Sequence, residues 1–274
     1  MRPKEESVRG RVVMKLGGSL ITNKSSPKGL DMRAIEDTCS VVKSIIGDGF
    51  IPILIHGAGS FGHILAKKWS IQDGSIAEIV DNQREAVIQI RMDMRELSSV
   101  VISCLEKTGV RSEMLPPSDW AIGTGPSFEG DLVRFERSAG DIVPVTFGDV
   151  VDTQGSSEFG ILSGDDLMLR ISKEVSNVSH SIFLMGGVDG VLDKPPTEGG
   201  SLVRLWSPNT EIEHEHESEV DVTGGIALKI DRASEIAETV DEVWILNGDN
   251  PERIMELLRD GSTTGTKIVD SRGT

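Results

Sequence analysis

RVVMKLGGS (Arg11 to Ser19) runs an apolar, β-branched stretch into a pair of glycines, the pattern of a strand that ends in a tight turn. IPILIHGAGSFGH (Ile51 to His63) repeats the arrangement, and Met32 to Ile46 between them carries apolar residues at helical spacing. Strand, helix and strand in that order imply a parallel sheet covered by helices. The pattern continues with a helix predicted over Gly164 to Val175, a strand over Ser181 to Gly186 and a helix over Ile226 to Thr239. A strand over Val243 to Gly248, a short helix over Pro251 to Leu258 and a last strand in TKIVD (Thr266 to Asp270) complete it. LVRFER (Leu132 to Arg137) and DIVPVTF (Asp141 to Phe147), joined by Ser138, Ala139 and Gly140, read as a β-hairpin. The expected fold is α/β, a three-layer α/β/α sandwich with an open, mainly parallel central sheet. Residues 1–274 are expected to form one domain, with a soft boundary near Val150 between lobes 11–150 and 151–274.

Composition narrows the function classes. A hydrophobic content of 38% with only 4% aromatics and no Tyr describes an aliphatic core. Runs such as Ile51 to Ile55 are far too short to span a bilayer, and Met1 to Gly10 is charged without an apolar core, so no membrane partner and a cytoplasmic location are expected. The net charge of −16 argues against nucleic acid as a partner, because that association is driven by a basic surface. A small anion held by a few local lysines is still compatible with it. Cys39 and Cys104 fall inside helical patterns without metal-ligand spacing and read as buried free thiols.

Three glycine-rich segments supply such a local site: KLGGS (Lys15 to Ser19), HGAGSFGH (His56 to His63) and DVTGGIALK (Asp221 to Lys229). Glycines let backbone N–H groups approach an anion closely, and the first and third segments add an ammonium charge. Each is read as following a strand, and ligands of open α/β sheets collect at the carboxyl ends of strands. None of the three is a GxxxxGK[ST] loop or a GxGxxG fingerprint, which disfavours the P-loop and dinucleotide-binding folds. The acidic stretch EIEHEHESEVD (Glu211 to Asp221) reads as a solvated edge or loop rather than a metal site.

KLGGS, HGAGSFGH, LSGDD (Leu162 to Asp166), GVDGV (Gly187 to Val191) and DVTGGIALK occur in an order that resembles the amino-acid kinase superfamily. SLITNK (Ser19 to Lys24) paired with GAGSFGH is similar to its isopentenyl phosphate kinases, from about Arg11 to Asp270. One departure is Ile226, where that family usually has Met. The resemblance implies that Lys15, Gly17, Gly18 and Ser19 bind ATP phosphates, with Gly224, Gly225 and Lys229 approaching from the nucleotide lobe. Gly59 serves the same phosphates, and Asp189 and Gly190 lie near the base or ribose. On the same resemblance, Lys24 is expected to stabilise the transition state, and Ala58, Gly59, His63 and Gly164 are expected to hold the acceptor phosphate. Asp165 fixes Lys15 and Lys229 and keeps both charged, while Asp166 fits either a role at the site or the acidic first turn of a helix.

In Asn82 to Lys107, Val87, Ile90, Met94, Leu97, Val101 and Leu105 form one stripe expected to face the core. Ile88 and Met92 lie on another face whose partner is an isoprenoid chain, a second subunit or a neighbouring helix; both are carried as candidate substrate-tail residues. Trp69 and His56 read as packing residues. The resemblance implies ATP with Mg²⁺ held mainly through nucleotide phosphates, no protein metal site, a small-molecule substrate and a homodimer. A phosphate acceptor is mostly dianionic at pH 7, its second pKa being about 6, so no general base is required. A kinase of another small phosphate, phosphonate or carboxylate, such as a fosfomycin-type kinase, shares these features. A non-catalytic nucleotide or oxyanion store would lack the need for so many charges at the transferring group.

Overall fold

A computed structural model describes residues 8–23, 28–136, 142–210 and 225–271. Its central sheet contains, in chain order, β1 (Gly10–Leu16), β2 (Phe50–His56), β3 (Ser112–Met114), β4 (Val143–Phe147), β5 (Val178–Met185), β6 (Leu205–Trp206), β7 (Glu242–Asn247) and β8 (Thr266–Ile268). Across the sheet the order is β6-β8-β7-β5-β1-β2-β4-β3. Every neighbouring pair is parallel except β7 with β8, which bears out the mainly parallel sheet. The six longer helices are α1 (Met32–Gly47), α2 (Gly59–Lys68), α3 (Val80–Lys107), α4 (Gly164–Glu174), α5 (Gly225–Ala237) and α6 (Glu252–Asp260).

Strand β1 explains the layering. Successive side chains of a strand point to opposite faces. Val12, Met14 and Leu16 enter the core shared with α1, α2, α3 and α6, whereas Val13 enters the one shared with α4 and α5. Lys15 falls on the Val13 face and is thereby carried to the start of α4. The predicted α3 stripe is buried throughout, and Asp31 caps α1 by accepting from the amide of Ala34 at 3.0 Å. Each fully buried Leu, Ile or Phe of these cores contributes about 1.5–3 kcal/mol.

The hairpin expected from Leu132 to Phe147 does not form. Leu132 and Phe135, three residues apart, are both buried, and the Asp131 carboxylate accepts from the amide of Val133 at 2.9 Å to start a one-turn helix, Val133–Glu136. Strand β4 pairs in parallel with β2 and β3 instead. Three-residue apolar spacing, rather than alternation, decided the local structure. Ser138, Ala139 and Gly140 lie outside the described residues. An antiparallel pair forms further along the chain, Asp149–Asp152 with Phe159–Leu162, and leads directly into α4.

Cys39 and Cys104 are buried and free, and burial pushes the Cys39 thiol well up, out of the range of a nucleophile. Among the described residues no helix is long and apolar enough to cross a membrane.

Candidate active site

The carboxyl ends of β5, β1 and β2, neighbours in the sheet, lie side by side at the floor of a cleft that the N-termini of α2, α4 and α5 also line. Nζ of Lys15 lies 2.5 Å from Oδ1 of Asp165, and Nζ of Lys229 lies 3.4 Å from the same oxygen. Ser163 caps α4 by accepting from the amide of Asp165 at 3.1 Å, which places that carboxylate in the first helical turn. Burial opposes ionisation of Asp165, but the two ammonium groups prevail and hold its carboxyl below the usual range. A Cβ on Gly164 would sit 3.0 Å from Cε of Lys15, so glycine leaves the room through which that side chain passes. Lys229 also lies over the ring of Phe183, 5.9 Å from its centroid.

The two glycine loops touch backbone to backbone. A Cβ on Gly18 would lie 2.4 Å from the amide nitrogen of Gly59, and one on Gly57 would lie 2.6 Å from that of Gly18. Gly59 itself has φ +49°. Thr22, a residue the sequence reading passed over, bridges the same loops: its hydroxyl donates to Gly18 O at 2.7 Å and accepts from Ser60 N–H at 3.0 Å.

The cleft encloses about 320 Å³ and brings together most of the predicted set: Lys15, Gly17, Gly18, Ser19, Ala58, Gly59, His63, Gly164, Asp165, Gly225 and Lys229 all line it. Lys24 and Gly224 lie outside the described residues. Ile88 and Met92 do not line it, being 61% and 59% exposed. The apolar lining comes instead from Ile90 and Met94 of the α3 core stripe, together with Val150 and Ile161. Gly62 of α2 opens the way to them, since a Cβ there would lie 3.4 Å from Sδ of Met94 and 2.8 Å from Cβ of Ala58.

Asp189 and Gly190 also fall outside the lining, which the loop supplies through Met185, Gly186 and Val188. The Asp189 carboxylate is occupied by Arg253 at 2.7 Å and Asn247 at 3.0 Å. Its pKa is lowered chiefly by the hydrogen bond from Arg253. Gly190 faces Thr266, whose Oγ1 a Cβ would approach to 2.5 Å. These two residues build the loop that carries the lining.

Asp166 belongs to a second ion pair, 2.7 Å from Nε of Arg232, whose Nη1 donates to Glu235 at 2.7 Å. Burial raises the pKa of Asp166 although Arg232 pulls it down. Asp149, also on the cleft wall, is raised by burial while accepting from the amides of Ser118 and Val150. His56 is buried, stacked on Phe147 at 5.0 Å between centroids, and its pKa is lowered to about 4 by burial, so it is a neutral packing residue. Trp69 packs against the α1–α3 core.

The chain matches the amino acid kinase family over residues 10–247. It is 32% identical over 261 residues to the isopentenyl phosphate kinase of Thermoplasma acidophilum, covering 94% of this chain and 99% of that protein. The isopentenyl phosphate kinase of Methanocaldococcus jannaschii is 27% identical over 270 residues, 93% of this chain and 97% of that one. A crystal structure of an isopentenyl phosphate kinase substrate complex superposes with a TM-score of 0.78 at 27% identity, over 94% of this chain and 99% of the other. Aspartate kinase from Synechocystis, 14% identical with a TM-score of 0.61 over 94% of this chain and 40% of that one, shares the fold alone. Fold, motif order and near full-length relatives agree: the chain belongs to the amino acid kinase family, on the branch of the isopentenyl phosphate kinases.

Proposed function

We propose that the protein transfers the γ-phosphoryl group of ATP to isopentenyl phosphate, giving isopentenyl diphosphate and ADP. The observation that carries this reading is a single cleft lined both by the Lys15–Asp165–Lys229 cluster and by the apolar side chains of Ile90, Met94, Val150 and Ile161. A prenyl phosphate has the same polarity, an anionic head on an apolar tail.

Lys15 and Lys229 hold the nucleotide phosphates and offset the repulsion between two polyanions as they are brought in line. Gly17, Gly18 and Ser19 present donors to those phosphates, and the N-terminus of α5 adds partial positive charge. His63, with the backbone at Ala58 and Gly59, orients the acceptor phosphate, whose own oxygen attacks without a general base. Lys24 is proposed for the transferring group. Mg²⁺ carried by the triphosphate supplies further charge neutralisation. In this reading residues 11–150 hold the acceptor and also lend Lys15 and the Gly17, Gly18 and Ser19 loop to the nucleotide, which 151–274 otherwise serve. A cytoplasmic homodimer is the proposed assembly, and light scattering on the purified protein tests its stoichiometry.

The deciding experiment is ADP release with Mg²⁺-ATP and isopentenyl phosphate, beside dimethylallyl phosphate, fosfomycin and UMP. Preference for the prenyl phosphates is expected. Turnover with another acceptor alone would discard the isoprenoid assignment, and ATP binding without turnover would discard the kinase.

A further inference from the structure

Thr22 follows the one-turn helix Gly18–Ile21 and is 3% exposed. Its single hydroxyl proton is committed to Gly18 O at 2.7 Å, leaving a lone pair for the amide of Ser60 at 3.0 Å. Gly18 lies on the loop assigned to the nucleotide phosphates. Ser60 lies in the first turn of α2, on the loop assigned to the acceptor. A Cβ on Gly59 would fall 2.0 Å from Oγ1 of Thr22, so the hydroxyl occupies the space that glycine leaves open between them.

We propose that Thr22 is a positioning residue for phosphoryl transfer: its hydroxyl sets the spacing between the nucleotide loop and the acceptor loop. The inference rests on the function proposed above. Transfer requires the reacting atoms to lie about 3–3.5 Å apart, and a misplacement of about 1 Å costs about 100-fold in rate. Thr22 holds the two loops to each other rather than holding either substrate. Its loss therefore lowers kcat while leaving the affinity for each substrate alone largely intact.

Thr22→Val keeps the volume and removes the hydroxyl, Thr22→Ser keeps the hydroxyl, and Thr22→Ala is the second hydroxyl-free variant should the valine protein fail to fold. With Mg²⁺-ATP and isopentenyl phosphate, the hydroxyl-free variants are expected to lose about 30- to 100-fold in kcat with both KM values within about threefold of wild type, and Thr22→Ser to remain within about threefold in kcat. Wild-type kcat in a hydroxyl-free variant, a rise in KM at unchanged kcat, or a serine variant as slow as the others would each overturn the proposal. If the wild-type protein does not use isopentenyl phosphate, the functional reading fails separately, and amide exchange at Ser60 in the unliganded protein decides the clasp. Exchange about tenfold faster without the hydroxyl and unchanged with serine supports it; equal protection in all variants overturns it.

Discussion

Lys15 and Lys229, from strands and helices of opposite halves of the chain, meet on one oxygen: their ammonium nitrogens lie 2.5 Å and 3.4 Å from Oδ1 of Asp165. Two cations at that separation repel unless a negative charge sits between them. Asp165→Asn removes that charge from a site where both ammonium groups are largely buried. Breaking a buried pair in this way costs about 3–5 kcal/mol of stability, and kcat is expected to fall about 100-fold as the lysines lose their placement. Triphosphate supplies the missing charge, so saturating Mg²⁺-ATP should raise the melting temperature of the variant more than that of the wild type. Equal shifts in a calorimetric scan would refute this account of the cluster.

Arg232 sits one helical turn beyond Lys229 and pairs with Asp166 as Lys229 pairs with Asp165. Two successive acids of α4 thus grip two cations of α5, whose apolar face is Ile230, Ala233 and Ile236. Apolar packing sets the depth of α5, and the ion pairs fix its slide along α4. Arg232→Met should lower kcat about tenfold. It also leaves the buried Asp166 without its cation, driving that pKa further above the unfolded value. The native state then binds the extra proton, so the variant loses stability as pH rises through the raised pKa. Urea melts at pH 5 and pH 8 should show the larger deficit at pH 8, and adding Asp166→Asn should remove the difference. An equal deficit at both pH values argues against the pairing.

The succession of β1, α1 and β2 was legible in the chain because it rests on local signals, whereas the charged cluster was expected from the order of the motifs and the family they resemble. Apolar runs ending in glycine fixed β1, β2 and their turns, and Asp165 follows Ser163-Gly164 at a helix start where capping places it. Thr22 and Arg232 left no such signal, since a threonine or arginine at those positions is ordinary until its partner in the fold is known. Helical arithmetic separated the face of Ile88 and Met92 from that of Ile90 and Met94. It could not say which one met the cavity, because that depends on Gly62 of α2 opening a path to Met94. The partners of Asp189 were hidden for a related reason: Arg253 and Asn247, which bond its Oδ1, lie about sixty residues away in the chain and meet it only in the fold.

His56 gives the protein a pH dependence unrelated to catalysis. Its folded pKa, about 4, lies below the ordinary 6.5 because burial disfavours the imidazolium. Between those values the unfolded chain binds a proton that the native state does not. The neutral ring therefore contributes its full stability above the unfolded pKa and loses it as pH falls toward the folded one. From pH 7 to pH 5 the expected loss is about 2 kcal/mol, measured by chemical denaturation. His56→Gln, which cannot titrate, should flatten that slope, and an unchanged slope would assign it to other groups.

Met94 lines the apolar part of the cleft, with Ile90 on the same buried stripe of α3. Both are held from behind by the core, so neither can swing aside for a longer chain. Met94→Ala removes three heavy atoms beyond Cβ from the wall that Gly62 leaves open. Truncating a buried methionine costs about 2–5 kcal/mol in stability, and the vacated volume extends the cavity along the direction of the substrate tail. Catalysis depends on Lys15, Asp165 and Lys229, which the substitution leaves untouched. The variant should keep its kcat for isopentenyl phosphate within about threefold while kcat/KM for a ten-carbon prenyl phosphate rises by about tenfold, since each added buried methylene is worth about 0.8 kcal/mol. Competition between the two acceptors in one reaction reads the ratio directly. A ratio that stays at the wild-type value would place the tail elsewhere than against Met94.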